Sequence, residues 1–156
     1  MVLPSESPLD RLAELGLELP PVAPPAASYQ PAVRSGSFVY TAGQLPLVDG
    51  KLTVRGKVGS DVTPEVAAHQ ARICALNALA AVHALVGLPA VARVVKVVGF
   101  VASTPDFTDH PKVVNGCSDL FVEIFGEAGR HARSAVGMSS LPAGIPVEIE
   151  VIVAVR

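Results

Sequence analysis

The chain has 156 residues, of which 50% are hydrophobic and 17% are charged, and it carries a formal net charge of -2 with a pI near 6.0. Its 12 lysines and arginines are scattered and are outnumbered by 14 acidic residues, so we expect no nucleic-acid partner. A chain of this length suits one domain with a single core. A charged share below the typical value of about 25% indicates that part of the surface is buried in an oligomer.

Membrane insertion and secretion are also disfavoured. No apolar run reaches the ~20 residues that a membrane-spanning helix needs, and the first residues lack the order of a signal peptide. Cys74 and Cys117 have no CxxC spacing and fall in apolar segments, which predicts two buried free thiols. Free thiols are typical of a reducing compartment, so we expect a cytoplasmic protein.

The first residues predict one short helix and a tether. Ser7 can cap the helix, Pro8 suits its first position, Asp10 its first turn, and Gly16 its end. The proline-rich tract 20–25 cannot continue a helix and predicts an extended tether. We therefore expect an N-terminal extension over residues 1–28 and a single domain over residues 29–156.

The domain is expected to begin with short strands and a long helix. Two strands are predicted between residues 32 and 45, broken at Ser35-Gly36-Ser37, and Asp49-Gly50 predicts a hairpin toward residues 52–54. Thr63-Pro64 then opens a helix that runs to about Val86 and ends at Gly87. Alanines at helical spacing along it would let the helix lie close to a sheet.

The second half of the chain predicts a strand, a helix and two further strands. The strand 93–102 is apolar on both parities, so both of its faces should be covered. By a strict period of two, one face holds Val95, Val97 and Val101, and the other holds Val94, Val98 and Phe100. A helix should run from about residue 111 to residue 125, with Asp109 as a possible cap, followed by strands over 132–139 and 145–155.

This order predicts an α+β fold with two helices packed on one face of a mixed sheet. In the last strand, one face is apolar and carries Ile145, Val147, Ile149, Val151 and Val153. The other face carries Glu148, Glu150, Ile152 and Ala154. A face that is half carboxylate and half apolar suits a subunit interface better than open water. Charges in such strands are costly without a partner or a function, which draws attention to Arg133 and Glu148.

The histidines do not suggest a metal site. His69 and His83 lie fourteen residues apart on the long predicted helix, a separation of roughly 21 Å. His110 and His131 have no accompanying cluster of ligands. The sequence also lacks the GxSxG, Walker and GxGxxG motifs, which disfavours serine hydrolases, NTPases and dinucleotide enzymes. We expect neither a metal nor a cofactor.

A set of short motifs, in order, carries a resemblance to a known family. The motifs are Tyr40–Pro46 (YTAGQLP), Asp106-Phe107, Asn115, Ala132-Arg133-Ser134, Leu141-Pro142 and Val147–Glu150 (VEIE). From about Tyr29 to Arg156, the chain resembles the RidA (YjgF/YER057c/UK114) superfamily, also labelled endoribonuclease L-PSP. The resemblance implies a chorismate-mutase-like α+β fold assembled as a homotrimer, with clefts between neighbouring subunits.

The resemblance also implies an activity and its residues. Members that keep the arginine hydrolyse reactive enamines and imines to 2-oxo acids and ammonia without a cofactor. Arg133 matches that arginine and can bind the carboxylate of a small metabolite bidentately. Glu148 matches the family's acidic position and would deprotonate the attacking water. Tyr29, Gly43 and Asn115 match further positions of the cleft.

The sequence departs from the family at two pocket positions. Ala42 stands where serine is frequent, and Ala135 stands where cysteine or threonine is frequent. Together with the residues before Tyr29 and the extra segment 108–114, these changes indicate a divergent subgroup with a more apolar pocket.

Several alternatives stay open at this point. Arg133 could form a structural salt bridge with Glu148 or Glu150, Glu150 could take the role of Glu148, and Tyr29 could simply pack against the core. The trimer could bind a small carboxylate metabolite without turning it over. The family label suggests endoribonuclease activity, against which the acidic pI argues.

Overall fold

The computed structural model describes residues 7–25 and 27–156. Over these residues the chain forms, in order, α1 (Pro8–Glu14), β1 (Ala32–Ser35), β2 (Phe38–Thr41), β3 (Leu47–Val48), β4 (Lys51–Leu52), α2 (Pro64–Val86), β5 (Val91–Ala102), α3 (His110–Phe125), β6 (Ala132–Met138) and β7 (Val147–Val155). Short 3-10 turns occupy Leu88–Ala90, Gly126–Gly129 and Pro142–Gly144. The predicted hairpin at Asp49-Gly50 and the break between the first two strands are confirmed.

A mixed sheet forms the centre of the fold. Its strand order is β1-β2-β7-β5-β6. β6 runs parallel to β5, and the other neighbouring pairs are antiparallel. α2 and α3 pack against each other, and together they cover one face of this sheet. The architecture confirms the predicted α+β class with a mixed sheet.

α2 forms where local sequence signals predict it. The Thr63 hydroxyl accepts a hydrogen bond from the Val66 amide, and Gly87, with a φ of 79°, ends the helix. Its buried stripe is made of small side chains, among them Ala67, Ala71, Cys74, Ala75 and Ala78. A Cβ on Gly116 of α3 would collide with the Ala68 carbonyl, so the two helices approach each other backbone to backbone.

α3 begins one residue earlier than predicted, at His110. Asp109 holds the N-cap position, but its side chain makes no capping hydrogen bond. Its φ of -96° and ψ of 47° differ from the extended backbone that Thr63 shows at its own cap. The predicted cap position of Asp109 is therefore confirmed, without a side-chain hydrogen bond.

β7 shows the predicted alternation. Val147, Ile149, Val151 and Val153 are buried beneath the helices, whereas Glu148, Glu150, Ile152 and Ala154 are half-buried on the opposite face. No helix in the described part of the chain covers that second face, which we call the open face of the sheet.

β5 departs from the strict period of two. Its pairing with β7 shifts register between Val94 and Lys96. This irregularity places Val94 on the buried side together with Val97 and Val101, instead of opposite to them as predicted. A bulge depends on pairing with a neighbouring strand, so the pattern of a single strand cannot reveal it.

The N-terminal helix contacts the rest of the molecule. Ser7 and Asp10 form the predicted capping box. Leu12 is only 2% exposed and belongs to the core, and the Arg11 guanidinium donates a hydrogen bond to the Glu123 carbonyl of α3. Residues 21–25 are exposed and have no regular structure, as expected of a tether. The division of the chain at residues 28 and 29 stays a prediction.

Cys74 and Cys117 are free and buried, as predicted, and burial raises the pKa of both thiols. No helix among residues 7–25 and 27–156 is long and apolar enough to cross a membrane. The same residues hold no group of three or more His, Cys, Asp or Glu side chains that could bind a metal ion.

Candidate active site

Arg133 is held against α3 by neutral side chains. Its Nη1 donates hydrogen bonds to Asn115 Oδ1 at 2.8 Å and to Ser118 Oγ at 3.2 Å. Asn115 and Ser118 lie three residues apart and therefore on one face of the helix. The structure thus brings the predicted residues Arg133 and Asn115 together.

Arg133 does not form the structural salt bridge that was the alternative to a functional role. Within the described residues, it makes no ion pair with Glu148, Glu150 or any other carboxylate. A half-buried guanidinium without a carboxylate partner is costly to keep, because its charge is only partly solvated. The missing negative charge is what a carboxylate ligand would supply.

A serine and a histidine extend this cluster, and the sequence did not single them out as site residues. Ser118 Oγ lies 2.8 Å from His131 Nε2, and His131 Nδ1 lies 2.6 Å from the Gly129 carbonyl oxygen. Burial and, to a lesser extent, the charge of Arg133 lower the pKa of His131. His131 is two residues from Arg133, but Ser118 is far from both in sequence, so no local signal pointed to the group.

Glu148 belongs to a different part of the molecule. It lies on the open face of the sheet, half-buried, and burial together with the nearby Glu150 raises the pKa of its carboxyl group. Gly43 packs directly against it, since a Cβ on Gly43 would overlap the Glu148 carboxylate. Hydrogen bonds of 2.7 Å and 3.2 Å between the backbones of Gln44 and Ile149 hold this segment onto β7. The predicted residues Gly43 and Glu148 are therefore neighbours.

The sheet separates these two groups within one chain. Arg133 of β6 is paired with Val97 of β5, which is buried under the helices, so Arg133 lies on the helix side. Glu148 is paired with Phe100 on the open face. Residues directly opposite each other in a sheet share a face. One chain therefore does not bring Arg133 and Glu148 into a single site.

Tyr29, the remaining predicted residue, precedes β1 and is 50% exposed. Half of its surface is accessible in the single chain, so Tyr29 is not buried in the core, and packing of its other half against the core stays an alternative. Among the described residues, the Tyr29 side chain makes no hydrogen bond to Arg133 or Glu148.

A second serine and histidine pair, Ser103 just after β5 and His110 at the start of α3, lies beside the C-terminal end of β6. Ser103 Oγ is 3.0 Å from His110 Nε2, and the pair borders a cavity of about 390 Å³ together with Phe107 and Met138. A Cβ on Gly137 would lie 2.5 Å from His110 Nε2, so a larger residue there would displace the imidazole. Nothing in the sequence indicated this contact.

The open face combines charge with exposed apolar side chains. Phe38, Tyr40 and Val136 are each about 40% exposed on or beside it. Lys96 donates a hydrogen bond to Ser134 at 3.3 Å and borders a small cavity with Glu150. Side chains of this size and polarity in one surface are typical of an interface between copies of a protein.

A family model described as "YjgF/chorismate mutase-like, putative endoribonuclease" matches residues 9–147. The chain belongs to this family. The match confirms the resemblance to the RidA superfamily that the motifs carry. It begins within α1, before the position at which the motif resemblance starts.

Proteins similar to this member of the YjgF family include one curated relative and several solved structures. The Trypanosoma cruzi protein TCP17 is 43% identical over 144 residues, which cover 91% of this chain and 90% of TCP17. The crystal structure of Agrobacterium tumefaciens Atu1372, a protein of unknown function, is 46% identical, with a TM-score of 0.88 over 94% of this chain and 91% of that one.

The structure of Escherichia coli YjgF is less similar. It is 29% identical and has a TM-score of 0.61, over 88% of this chain and 94% of that one. Both structures share the YjgF fold with this chain, and Atu1372 superposes on it more closely than E. coli YjgF does.

Proposed function

We propose that this protein hydrolyses reactive enamines and imines that carry a carboxylate, releasing 2-oxo acids and ammonia, in a cleft between copies of a homotrimer. The observation that carries the proposal is the state of Arg133, which is fixed by neutral acceptors and has no carboxylate partner among the described residues. Family membership supports the reaction class, because enamine and imine deamination is an activity of this superfamily.

Arg133 binds and orients the substrate in this proposal. A guanidinium has five N–H donors, and the two on Nη1 are used by Asn115 and Ser118. The donors on Nε and Nη2 remain, and together they form a fork that matches the two oxygens of a carboxylate. Binding the carboxylate there fixes the position of the adjacent C=N carbon.

Glu148 activates water. Its raised pKa makes the ionised carboxylate a better base than an exposed glutamate. Glu148 takes a proton from water as the water oxygen bonds to the C=N carbon, and it passes this proton to the nitrogen. In the resulting carbinolamine, Glu148 takes the hydroxyl proton and delivers it to the nitrogen as the C–N bond breaks, which releases ammonia, forms the C=O group and leaves Glu148 ionised.

The position of these residues on the sheet supports a cleft between copies of the protein. Arg133 and Glu148 lie on opposite faces of one chain, so a single cleft can contain both only if two copies contribute them. Gly43 and Tyr29 would line the cleft beside Glu148, and Asn115 beside Arg133. The exposed apolar side chains of the open face support burial by a neighbouring copy. We keep the cytoplasm as the expected compartment, since buried free thiols suit a reducing environment.

A non-catalytic trimer that binds small carboxylates is the second candidate. It is favoured by Ala135, which is half-buried beside Arg133 and packs against the core where other members have a polar side chain. Such a pocket would still bind a carboxylate through Arg133 but would have fewer groups to stabilise a transition state.

Imine hydrolysis tests the proposal directly. An amino-acid oxidase generates the 2-imino acid in the assay, and its loss is followed with wild type and with Arg133→Ala. We expect the wild type to accelerate the loss and Arg133→Ala to leave the uncatalysed rate. Carboxylate binding without acceleration would favour the second candidate, and unchanged activity in Arg133→Ala would remove Arg133 from the site.

A further inference from the structure

The group formed by Ser118, His131 and Gly129 has no role in the proposed reaction, although it contacts Arg133 directly. We propose that Ser118 and His131 are positioning residues that lock the Arg133 guanidinium in the orientation that receives a substrate carboxylate. This inference deepens the proposed function and rests on Arg133 holding that carboxylate.

The Gly129 carbonyl oxygen can only accept a hydrogen bond. His131 Nδ1 lies 2.6 Å from it, so Nδ1 carries the proton. Burial favours the neutral imidazole, which leaves Nε2 as an acceptor. Phe121, a fully buried residue, meets the imidazole edge to face with the ring centroids 6.0 Å apart, which restrains the ring further.

The direction of the next hydrogen bond follows. A serine hydroxyl has one proton, and His131 Nε2, 2.8 Å away, receives it. The oxygen of Ser118 then has only lone pairs left for its other neighbour. An arginine can only donate, so the 3.2 Å contact between Arg133 Nη1 and Ser118 Oγ is a hydrogen bond that His131 keeps correctly directed.

The consequence for Arg133 is a defined orientation. Asn115 alone would hold one Nη1 proton and would allow the guanidinium to swing about that contact. Asn115 is exposed, whereas Ser118 lies deeper, so Ser118 supplies the second and better shielded point of attachment. With both contacts made, the fork formed by Nε and Nη2 stays turned toward the cleft. A group that is pre-oriented in this way binds its ligand without losing further conformational freedom.

The kinetic test uses variants that distinguish the roles of the two ring nitrogens of His131, Nδ1 and Nε2. Ser118→Ala removes the acceptor, His131→Asn keeps an amide near the Nδ1 position only, and His131→Gln keeps a polar group near the Nε2 position. We expect Ser118→Ala and His131→Asn to raise KM for the 2-imino acid roughly 5- to 30-fold while kcat changes less than about twofold. His131→Gln should restore most of the affinity. His69→Asn, at an exposed histidine of α2, is the matched control and should behave as wild type.

The outcomes distinguish this inference from the proposed function. If the wild type is active and Ser118→Ala and His131→Asn have the same KM and kcat as the wild type, the positioning role is overturned and the proposed deamination is not. A loss of kcat at constant KM would also overturn it, because Ser118 or His131 would then take part in the chemistry itself.

A spectroscopic measurement keeps the inference testable even if no imine is hydrolysed. In ¹⁵N NMR spectra, we expect His131 as the neutral Nδ1-protonated tautomer, and separate Nη resonances of a rotationally restricted Arg133. Ser118→Ala should merge the Nη resonances of Arg133 without unfolding the protein. Protonation of His131 on Nε2, or an Arg133 that is equally mobile in wild type and variant, would overturn the inference.

Discussion

The surroundings of Glu148 change the pKa of its carboxyl group. It is half-buried on the open face, and Glu150, two residues along the same strand, faces the same way. Burial is the larger cause of the raised pKa and the repulsion from Glu150 is the smaller one. Both causes disfavour the charged form, so the carboxylate holds its proton at a higher pH than an exposed glutamate does.

The pH dependence of deamination follows from this. A general base acts when ionised, so kcat/KM should fall as the pH drops through the raised pKa of Glu148. Glu150→Gln removes the repulsion, so the pKa of Glu148 should fall and the acidic limb of the profile should move to lower pH. A profile of kcat/KM against pH for wild type and Glu150→Gln measures the shift.

Glu127→Gln, at an exposed residue whose carboxylate pairs with Arg130, is the control and should leave the profile unchanged. Complete loss of activity in Glu150→Gln would instead assign the role of base to Glu150. A limb that does not move would contradict the electrostatic coupling between the two carboxylates.

At the scale of elements, the approach of α2 and α3 depends on Gly116. Its position in α3 faces the backbone of Ala68 in α2, where a Cβ would overlap the carbonyl group. Backbone cannot move aside as a flexible side chain can. The separation of these helices in turn sets where α3 presents Asn115 and Ser118 to Arg133.

Gly116→Ala should therefore force the helices apart and lower the thermal stability. Overpacking of this kind costs about 1–3 kcal/mol, which corresponds to a fall in Tm of roughly 2–12 °C for a chain of this size. Differential scanning calorimetry measures it. Gly43→Ala is the matched comparison, because its new methyl group meets only the end of the Glu148 side chain. A Tm that falls as far in Gly43→Ala as in Gly116→Ala would contradict this explanation.

At the scale of the whole molecule, the two halves of the site lie on opposite sides of one sheet. A cleft between copies would pair the Arg133 group of one chain with the Glu148 group of another. In a closed ring every interface repeats the same contact, so each cleft would be complete. A single copy would hold two incomplete halves.

Mixed assemblies test this arrangement. Arg133→Ala and Glu148→Gln should each be inactive alone, but trimers that contain both variants should show about a third of the wild-type activity, because one of their three clefts receives both native residues. The variants are co-expressed with different tags, and activity is measured on assemblies that carry both.

Co-assembly of Arg133→Ala with the double variant Arg133→Ala/Glu148→Gln is the control and should remain inactive. Light scattering on the wild type should give about three times the 16.1 kDa mass of one chain. A monomer, or co-assembled variants without recovery of activity, would contradict the cleft between copies.

Patterns within single segments were sufficient for much of the fold. Thr63-Pro64 and Gly87 delimit α2, and the alternation of β7 separates its valines from Glu148 and Glu150. These features depend on residues that are close in sequence, whose spacing is set by the geometry of one helix or strand. The register shift in β5 and the missing side-chain cap of Asp109 were not predictable, because each depends on how the segment meets its neighbours.

The candidate site shows the same division. Motifs in the sequence were sufficient to predict the family, the α+β class and the candidate residues Arg133, Glu148, Gly43, Asn115 and Tyr29. The folded chain was needed to show that Arg133 pairs with Asn115 and Ser118 rather than with a carboxylate, and that Glu148 lies on the other side of the sheet. Strand pairing, through the parallel register of β5 and β6, determines which side chains share a face, and a single segment does not reveal that pairing.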